Sequence, residues 1–153
     1  MSTVTVEQSI NAPHHVVFDA ISNIQRQPEI NPDVVAVEFL GAQTVGAGTR
    51  FRETRRMGRK TRDFDLEITE FAAERGHMRT VCDFDGVTWD TTMTVTPAEG
   101  GSLLRMTMHA RAHSFGKRLM MRVFAPFFRR GMAGHMKRLE GWCQRSAMAQ
   151  SRS

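Results

Sequence analysis

The chain contains no tyrosine, only two cysteines and no long apolar run in its 153 residues. Cys82 and Cys143 are too few and too far apart to suggest a disulfide framework or a metal site. A membrane-crossing helix needs an apolar run of roughly 18 residues, and none approaches that length. The N-terminus is polar, without a basic region leading into an apolar one, so no signal peptide is expected and a reduced, cytoplasmic protein is the default. No Ser-His-Asp set, zinc spacing, phosphate loop or dinucleotide fingerprint occurs, which weighs against recognisable hydrolytic, redox or nucleotide chemistry. No cofactor and no metal are therefore expected. Internal repeats and low-complexity segments are also lacking.

What is present is ordinary in amount and uneven in placement. A hydrophobic content of 41% and a charged content of 24% suit a globular domain. A chain of this length can bury about 70% of its unfolded surface. From Ser114 to the end there are nine Lys/Arg against one acid, Glu140, a local +8; the preceding segment carries −3, and the two give the overall +5. A second basic cluster comprises Arg50, Arg52, Arg55, Arg56, Arg59, Lys60 and Arg62. Such clusters can serve nucleic acid or anionic membranes. The simpler reading is a solvated helix face and a charged hairpin. No aromatic-basic stacking platform is apparent on a sheet, so no nucleic-acid partner is expected.

Alternation over Thr3 to Ile10 predicts a half-exposed first strand. Pro13 sits where a first helical turn tolerates proline, with Asn11 ahead of it as a cap region. Val17, Ile21 and Ile24 recur at helical spacing, while Pro28 and Pro32 keep the helices of residues 13–30 short. Six more strands follow at regular spacing, punctuated by Gly41, the Gly46/Gly48 pair, Gly58, Gly76, Gly86 and Gly100-Gly101. Such spacing indicates antiparallel hairpins rather than βαβ units. A final helix is predicted over about Phe115 to Gln144, with Phe115, Leu119, Val123, Phe127, Met132, Met136, Leu139 and Trp142 or Cys143 at helical spacing. Pro126 is expected to bend or break it, leaving a short lead-in segment and a longer helix beyond.

The stretch from Ile10 to Val34, with Ile10-Asn11-Ala12-Pro13, Val16-Val17-Phe18-Asp19-Ala20-Ile21 and Asn31-Pro32, followed by Val45-Gly46-Ala47-Gly48-Thr49-Arg50-Phe51, resembles the START-like (Bet v 1-like) superfamily, especially its polyketide cyclase/dehydrase branch. The resemblance implies an α+β helix-grip fold. A curved antiparallel seven-stranded sheet would surround a long C-terminal helix, with two short helices after the first strand. One domain over residues 1–147 and a flexible tail at 148–153 account for the chain. Two departures argue against a cyclase and leave the fold untouched. No tyrosine is available to orient a polyketide, and Asn31 precedes Pro32 where related sequences commonly place a tryptophan.

A sheet gripping a helix seldom fills the space between them, and in the family this leaves a mostly apolar pocket. Alternation puts Phe51, Glu53, Arg55 and Met57 on one face of the third strand, and Phe64, Leu66 and Ile68 inward on the fourth. Met78, Thr80, Cys82 and Phe84 follow on the fifth strand, and Val87, Trp89, Thr91, Met93 and Val95 on the sixth. Leu104, Met106, Met108 and Ala110 come from the seventh, with Met132 and Met136 from the helix. The predicted ligand-lining residues are Phe51, Phe64, Leu66, Met78, Thr80, Phe84, Trp89, Thr91, Met93, Met106, Met108, Met132 and Met136. The eleven methionines are many for this length, and flexible, polarizable Met suits an adaptable binding surface as well as ordinary core filling. Trp89 offers a wall and one N–H donor.

Glu53 and Arg55 are the inward charges nearest to catalytic candidates. The alternatives are a structural ion pair or an outward-facing hairpin. His109 and His113 have no recognisable partner in sequence, and His14-His15 lacks metal-ligand spacing; His135, within the helix, could turn toward the pocket, but a surface or partner-satisfied histidine is the better reading.

The leading functional expectation is binding of a hydrophobic small molecule such as a lipid, polyketide, quinone or aromatic metabolite. The first alternative is a cyclase/aromatase- or dehydratase-type enzyme using the same cavity. The second is a membrane-associated lipid or quinone chaperone. There the basic C-terminal helix would make peripheral contact with an anionic membrane, which requires a second apolar stripe to remain exposed. Monomer and homodimer are both open.

Overall fold

Six of the strands are laid down as consecutive antiparallel neighbours, three of their five connections being two-residue turns. The computed structural model, which describes residues 2–151, contains β1 (Ser2–Ile10), α1 (His14–Ser22), α2 (Gln27–Ile30), β2 (Val34–Phe39) and β3 (Arg50–Met57). These are followed by β4 (Lys60–Ala72), β5 (His77–Phe84), β6 (Val87–Ala98), β7 (Gly101–Ala112) and α3 (Phe115–Ser151). All seven strands form one antiparallel sheet in the order β1-β7-β6-β5-β4-β3-β2. The α1–α2 connection carries the chain from one edge to the other, so that β1 ends beside β7. With α3 as the long helix, this is the helix-grip fold.

Local chemistry explains several of the turns. Asp85 and Gly86 join β5 to β6 with φ of 51° and 77°. Two successive positive φ values make the type I′ turn, whose twist matches that of the flanking strands and for which Asp-Gly is a preferred pair. Gly76 precedes β5 at φ 61°, and a Cβ there would lie 2.3 Å from the Val95 carbonyl oxygen and 2.6 Å from His14 Nε2. Only glycine lets the chain pass this point, where His14 also donates to Val95 O at 3.1 Å.

A bulge bends β4. Ile68 pairs with Thr80 and Glu70 with Arg79, leaving Thr69 as the extra residue. The insertion resets the alternation, so Phe71 rather than Glu70 joins Ile68 on the inner face and packs on Phe18 of α1, with centroids 5.4 Å apart.

The helices between β1 and β2 are tied down by packing and one amide. α1 buries Val16, Val17, Phe18, Ala20 and Ile21. Its N-cap is Pro13, without a side-chain cap, so the helix starts later than Asn11 capping predicts. The Pro13 carbonyl receives the N–H groups of Val16 and Val17. Buried Gln27 donates to the carbonyls of Ala20 and Asn23, which locks α2 against α1.

α3 differs from expectation in two respects. It is continuous through Pro126, with no separate lead-in segment. The proline costs one backbone hydrogen bond, because it has no N–H to offer the Arg122 carbonyl, yet the helix continues on both sides. The buried seam also runs along Met121, Met132, Met136, Leu139 and Cys143, with Phe128 half-buried. Phe115, Leu119, Val123 and Phe127, expected to continue that seam, instead face solvent. Spacing of four residues drifts around a helix of 3.6 residues per turn, and the two stripes lie on opposite sides. The helix extends through the first four residues of the tail expected at 148–153; residues 152 and 153, like Met1, lie outside the described residues.

Two clusters form the core. The larger joins α1, the second half of α3 and inner-face residues such as Phe51, Ile68, Met78, Val95, Leu104 and Met106. The smaller is Val87, Ala110 and Met121, with half-buried Trp89, Ala112 and Phe128 packed against it. On the outer face, charge pairs replace apolar packing. Arg79 bonds Asp90 and Glu70 across three strands, and Arg52 bonds Asp65. Much of the β3–β4 arginine cluster is a solvated hairpin of this kind.

Pro126→Ala returns the missing N–H and relieves the ring clash in an exposed helix interior. It is expected to stabilise the protein by about 1–3 kcal/mol, with added hydrogen-exchange protection across residues 122–130. An unchanged unfolding midpoint and unchanged protection would show that the helix already accommodates proline without cost.

Candidate functional site

The inner face of the sheet is a grid whose rows follow the strand pairing. One row runs Phe39, Phe51, Leu66, Cys82, Trp89 and Ala110; the next runs Ile68, Thr80, Thr91, Met108 and Val4. A third contains Phe71, Met78, Met93, Met106 and Val6. Of the residues expected to line a cavity, Phe51, Met78, Met106, Met132 and Met136 are buried in the main core. Phe64, Leu66, Thr80, Phe84, Trp89, Thr91, Met93 and Met108 are half-buried, so packing leaves part of each accessible. Met57, assigned to the same face by alternation, is 53% exposed at the outer end of β3, where the covering helices do not reach.

Leu66, Met93 and Met108 pack against the main core, while Trp89 lies under the first half of α3, where the small cluster holds the helix to the sheet. Trp89 packs edge-on against Phe128, with centroids 5.3 Å apart, and Phe64 meets Phe84 at 4.3 Å. Trp89 Nε1 is the one buried side-chain nitrogen or oxygen without a hydrogen-bond partner among the described residues. Thr91 stands two residues along on the same face, and Thr80 is opposite it. Two depressions lie at the β5–β6 end of the sheet. One, of about 420 Å³, is lined by Asp83, Phe84, Asp85, Gly86, Val87, Thr88 and His113, and the other, of about 340 Å³, by Arg111, Ala112, His113 and Arg118. Phe84 is the only expected lining residue that borders either of them.

A separate polar group gathers where β2 and β3 meet α2 and α3. Buried Glu53 accepts a hydrogen bond from Arg55 Nε at 2.9 Å, and Arg55 Nη2 lies 2.8 Å from the same oxygen as an ion pair. The Arg55 guanidinium also lies over the Phe64 ring, 5.8 Å from its centroid. Glu53 and Arg55 therefore form an ion pair with its carboxylate inside and its cation half-buried. Beside them the Asn31 amide reaches His135 Nδ1 at 3.4 Å. Desolvation of the His135 ring, with the cations of Arg55 and Arg138 nearby, pushes its pKa down to about 4. At neutral pH it is a neutral imidazole whose Nδ1 can accept from Asn31.

Asn31 escaped the sequence reading as a site residue, while His135, read there as a surface or partner-satisfied histidine, finds its partner in Asn31. Their signal was faint but real: His135 is three residues after Met132 and adjacent to Met136, on the flank of the buried seam. Asn31 is a polar residue at the end of an apolar helix turn. His14, His77, His109 and His113 are tied to structure. His109 Nδ1 meets the Thr3 hydroxyl at 2.8 Å, and His113 meets Thr88, which itself donates to Asp83. Neither cysteine is an activated nucleophile. Burial pushes the Cys82 thiol up to about 11 and the Cys143 thiol to about 12, so both stay protonated. Among the described residues, no group of His, Cys, Asp and Glu is placed to hold a metal ion.

Fold and inner face together define a helix-grip protein, with a long helix laid over the largely apolar inner face of one antiparallel sheet. The chain belongs to the polyketide cyclase/dehydrase and lipid transport family, whose model matches residues 1–141. Similar solved structures carry the same fold at low identity. A protein of Thermus thermophilus superposes with a TM-score of 0.78 at 18% identity, covering 95% of this chain and 99% of that one. Norcoclaurine synthase of Thalictrum flavum gives 0.72 at 14% identity, with 92% and 85% covered. The di-domain ARO/CYC BexL of the BE-7585A biosynthetic pathway gives 0.75 at 16% identity, covering 92% of this chain and 46% of that longer one. No curated protein sequence matches. No helix of the described residues is long and apolar enough to cross a membrane.

The depressed His135 pKa has a consequence for stability. Its folded value of about 4 lies below the ordinary 6.5, so between these values the unfolded chain binds the extra proton. The neutral ring's contribution is complete above about pH 6.5 and is lost as pH falls toward 4. For a half-buried ring this amounts to about 2 kcal/mol. His135→Gln is expected to flatten the fall in denaturant midpoint between pH 7 and pH 4.5. An equally steep fall in the variant would show that His135 is not held neutral by the fold.

Proposed function

We propose that this protein binds a hydrophobic small molecule of the lipid, polyketide, quinone or aromatic class between the inner face of the sheet and the first half of α3. In this reading the ligand carries an oxygen that accepts from Trp89. The observation that carries the proposal is the partnerless Trp89 Nε1–H, set in a wall of half-buried Phe64, Leu66, Phe84, Met93 and Met108. A buried donor left unpaired costs about 1–3 kcal/mol. An acceptor on a ligand removes that cost, while the surrounding methionines and phenylalanines supply adaptable apolar contact. Membership of a cyclase/dehydrase and lipid transport family supports a ligand of this class.

An enzyme using the same space is the second reading, of the cyclase/aromatase or dehydratase type. It is favoured by one observation: buried Glu53, its Arg55 partner and the neutral His135 lie together at one side of the inner face. A neutral imidazole beside a carboxylate could move a proton from a bound chain.

9-Fluorenone and fluorene share a ring frame and differ by one carbonyl oxygen. In competition with a polarity-sensitive fluorescent probe, the protein is expected to prefer fluorenone by roughly 2- to 12-fold, the worth of one hydrogen bond of about 0.5–1.5 kcal/mol. Trp89→Phe keeps the ring and deletes the donor, so it should remove the preference while leaving fluorene affinity unchanged. Met93→Trp should weaken both ligands by filling the space. A preference that survives Trp89→Phe rules out the tryptophan as donor, and failure of both compounds to displace the probe rules out the binding site.

A further inference from the structure

The first half of α3 is apolar on two opposite sides. One side carries Met121 and Phe128 toward the sheet. On the other, Phe115 is 80% exposed, Leu119 55%, Val123 66% and Phe127 72%, with Met120 and Phe124 beside them. These positions span about 18 Å along the helix. A helix that covers a sheet normally turns a polar face to solvent, and a contiguous exposed apolar stripe marks an interaction surface.

The charge around the stripe identifies what it meets. Arg118, Arg122, Arg129 and Arg130 flank it, and none has an acidic partner among the described residues. Lys117 is already engaged, pairing with Asp85 at 2.8 Å and pinning the start of the helix to the β5–β6 turn. No Asp or Glu occurs between Glu99 and Glu140. A second copy of the chain would bring the same unpaired cations against one another, so the negative charge has to come from a different partner. The stripe is the outer face of a single helix, and its apolar residues line neither of the two depressions described above, which leaves it no concave site from either for a protein's anchor residues. A lipid surface needs no such shape complementarity; it takes apolar side chains into the headgroup boundary and attracts flanking arginines.

We propose that the solvent-facing stripe of α3 docks on an anionic lipid bilayer, with Phe115, Leu119, Val123 and Phe127 entering the interface and Arg118, Arg122, Arg129 and Arg130 meeting lipid phosphates. The helix lies along the surface and does not cross it. Its opposite side stays on the sheet, so docking requires no unfolding. The long arginine stems reach from beside the stripe toward the phosphates while their own methylenes cover apolar surface. This surface is distinct from the ligand wall, and its test does not depend on the ligand reading.

The full chain is sedimented with vesicles of phosphatidylcholine alone and with vesicles containing about 30 mol% phosphatidylglycerol, at about 0.1 M and about 1 M salt. Binding is expected to be at least about tenfold stronger on the anionic vesicles and to fall at high salt. Replacing Leu119, Val123 and Phe127 together by Gln should abolish it; replacing Arg118, Arg122 and Arg129 by Gln should remove the anionic preference. All six positions are exposed, so unfolding midpoints should stay near that of the parent. If either triple variant is destabilised, Phe127→Trp alone provides the reading, through a blue shift of emission on anionic vesicles and none on phosphatidylcholine. The proposal is overturned if the parent stays in the supernatant with anionic vesicles, or if the Gln substitutions in the stripe leave binding intact. It is equally overturned if light scattering shows a dimer that those substitutions dissolve while vesicle binding is absent.

Discussion

The structure depends on how one helix covers a sheet with a single apolar face. A seven-stranded antiparallel sheet with charge pairs outside and Phe, Met, Leu and Ile inside cannot leave that inner face in water. α3 and α1 divide the task unequally. Met132, Met136, Leu139 and Cys143 on the second half of α3 are all buried within a cluster of twenty residues, together with α1 and the strands beneath. Over the first half the buried cluster is only Val87, Ala110 and Met121. At roughly 1.5–3 kcal/mol for each large apolar side chain buried, the second half is held far more firmly than the first.

Most of the scaffold could be read from the residues because it rests on local rules. Strand alternation, glycine-marked turns and the proline-limited helices each follow from steric limits that act over a few residues. The inward rows of β3 to β7 follow from alternation as well. The bulge at Thr69 is a different matter: it lies past the last inward residue assigned on β4, and it alone brings Phe71 inside. Met57 shows the limit of the rule. Alternation fixes the face a residue occupies, and burial depends on whether another element reaches over it.

The candidate site was legible only in part, for a similar reason. The Glu53–Arg55 pair could be foreseen because residues two apart on a strand share a face, and the structure joins them through a hydrogen bond and an ion-pair contact to one oxygen. His135 and Asn31 come from elements more than a hundred residues apart, and nothing in either local segment states that the two meet. The phase of α3 was obscured by its own composition. Between Phe115 and Phe128 nearly every face carries an apolar residue, so several stripes fit helical spacing equally well. Met121 and Phe128 are the ones that continue the seam of the second half. The spacing of four at 115, 119, 123 and 127 drifts by about 40° per step and forms a stripe on the side opposite that seam.

Pro126 falls where these two regimes meet. Upstream, the helix is held by a small apolar cluster and the Lys117–Asp85 pair, and an exposed ion pair contributes at most about 1 kcal/mol. Downstream, it is held by the main core. The missing backbone bond at Arg122 lowers the cost of the two halves moving relative to each other. Local opening free energies follow the number of buried contacts, so the first half of α3 opens more readily than any strand beneath it. The half-buried wall at Trp89 meets that segment through Phe128. The same weak attachment that leaves this wall partly uncovered also leaves the outer stripe of α3 facing solvent, because a single helix cannot bury two opposite faces against one sheet.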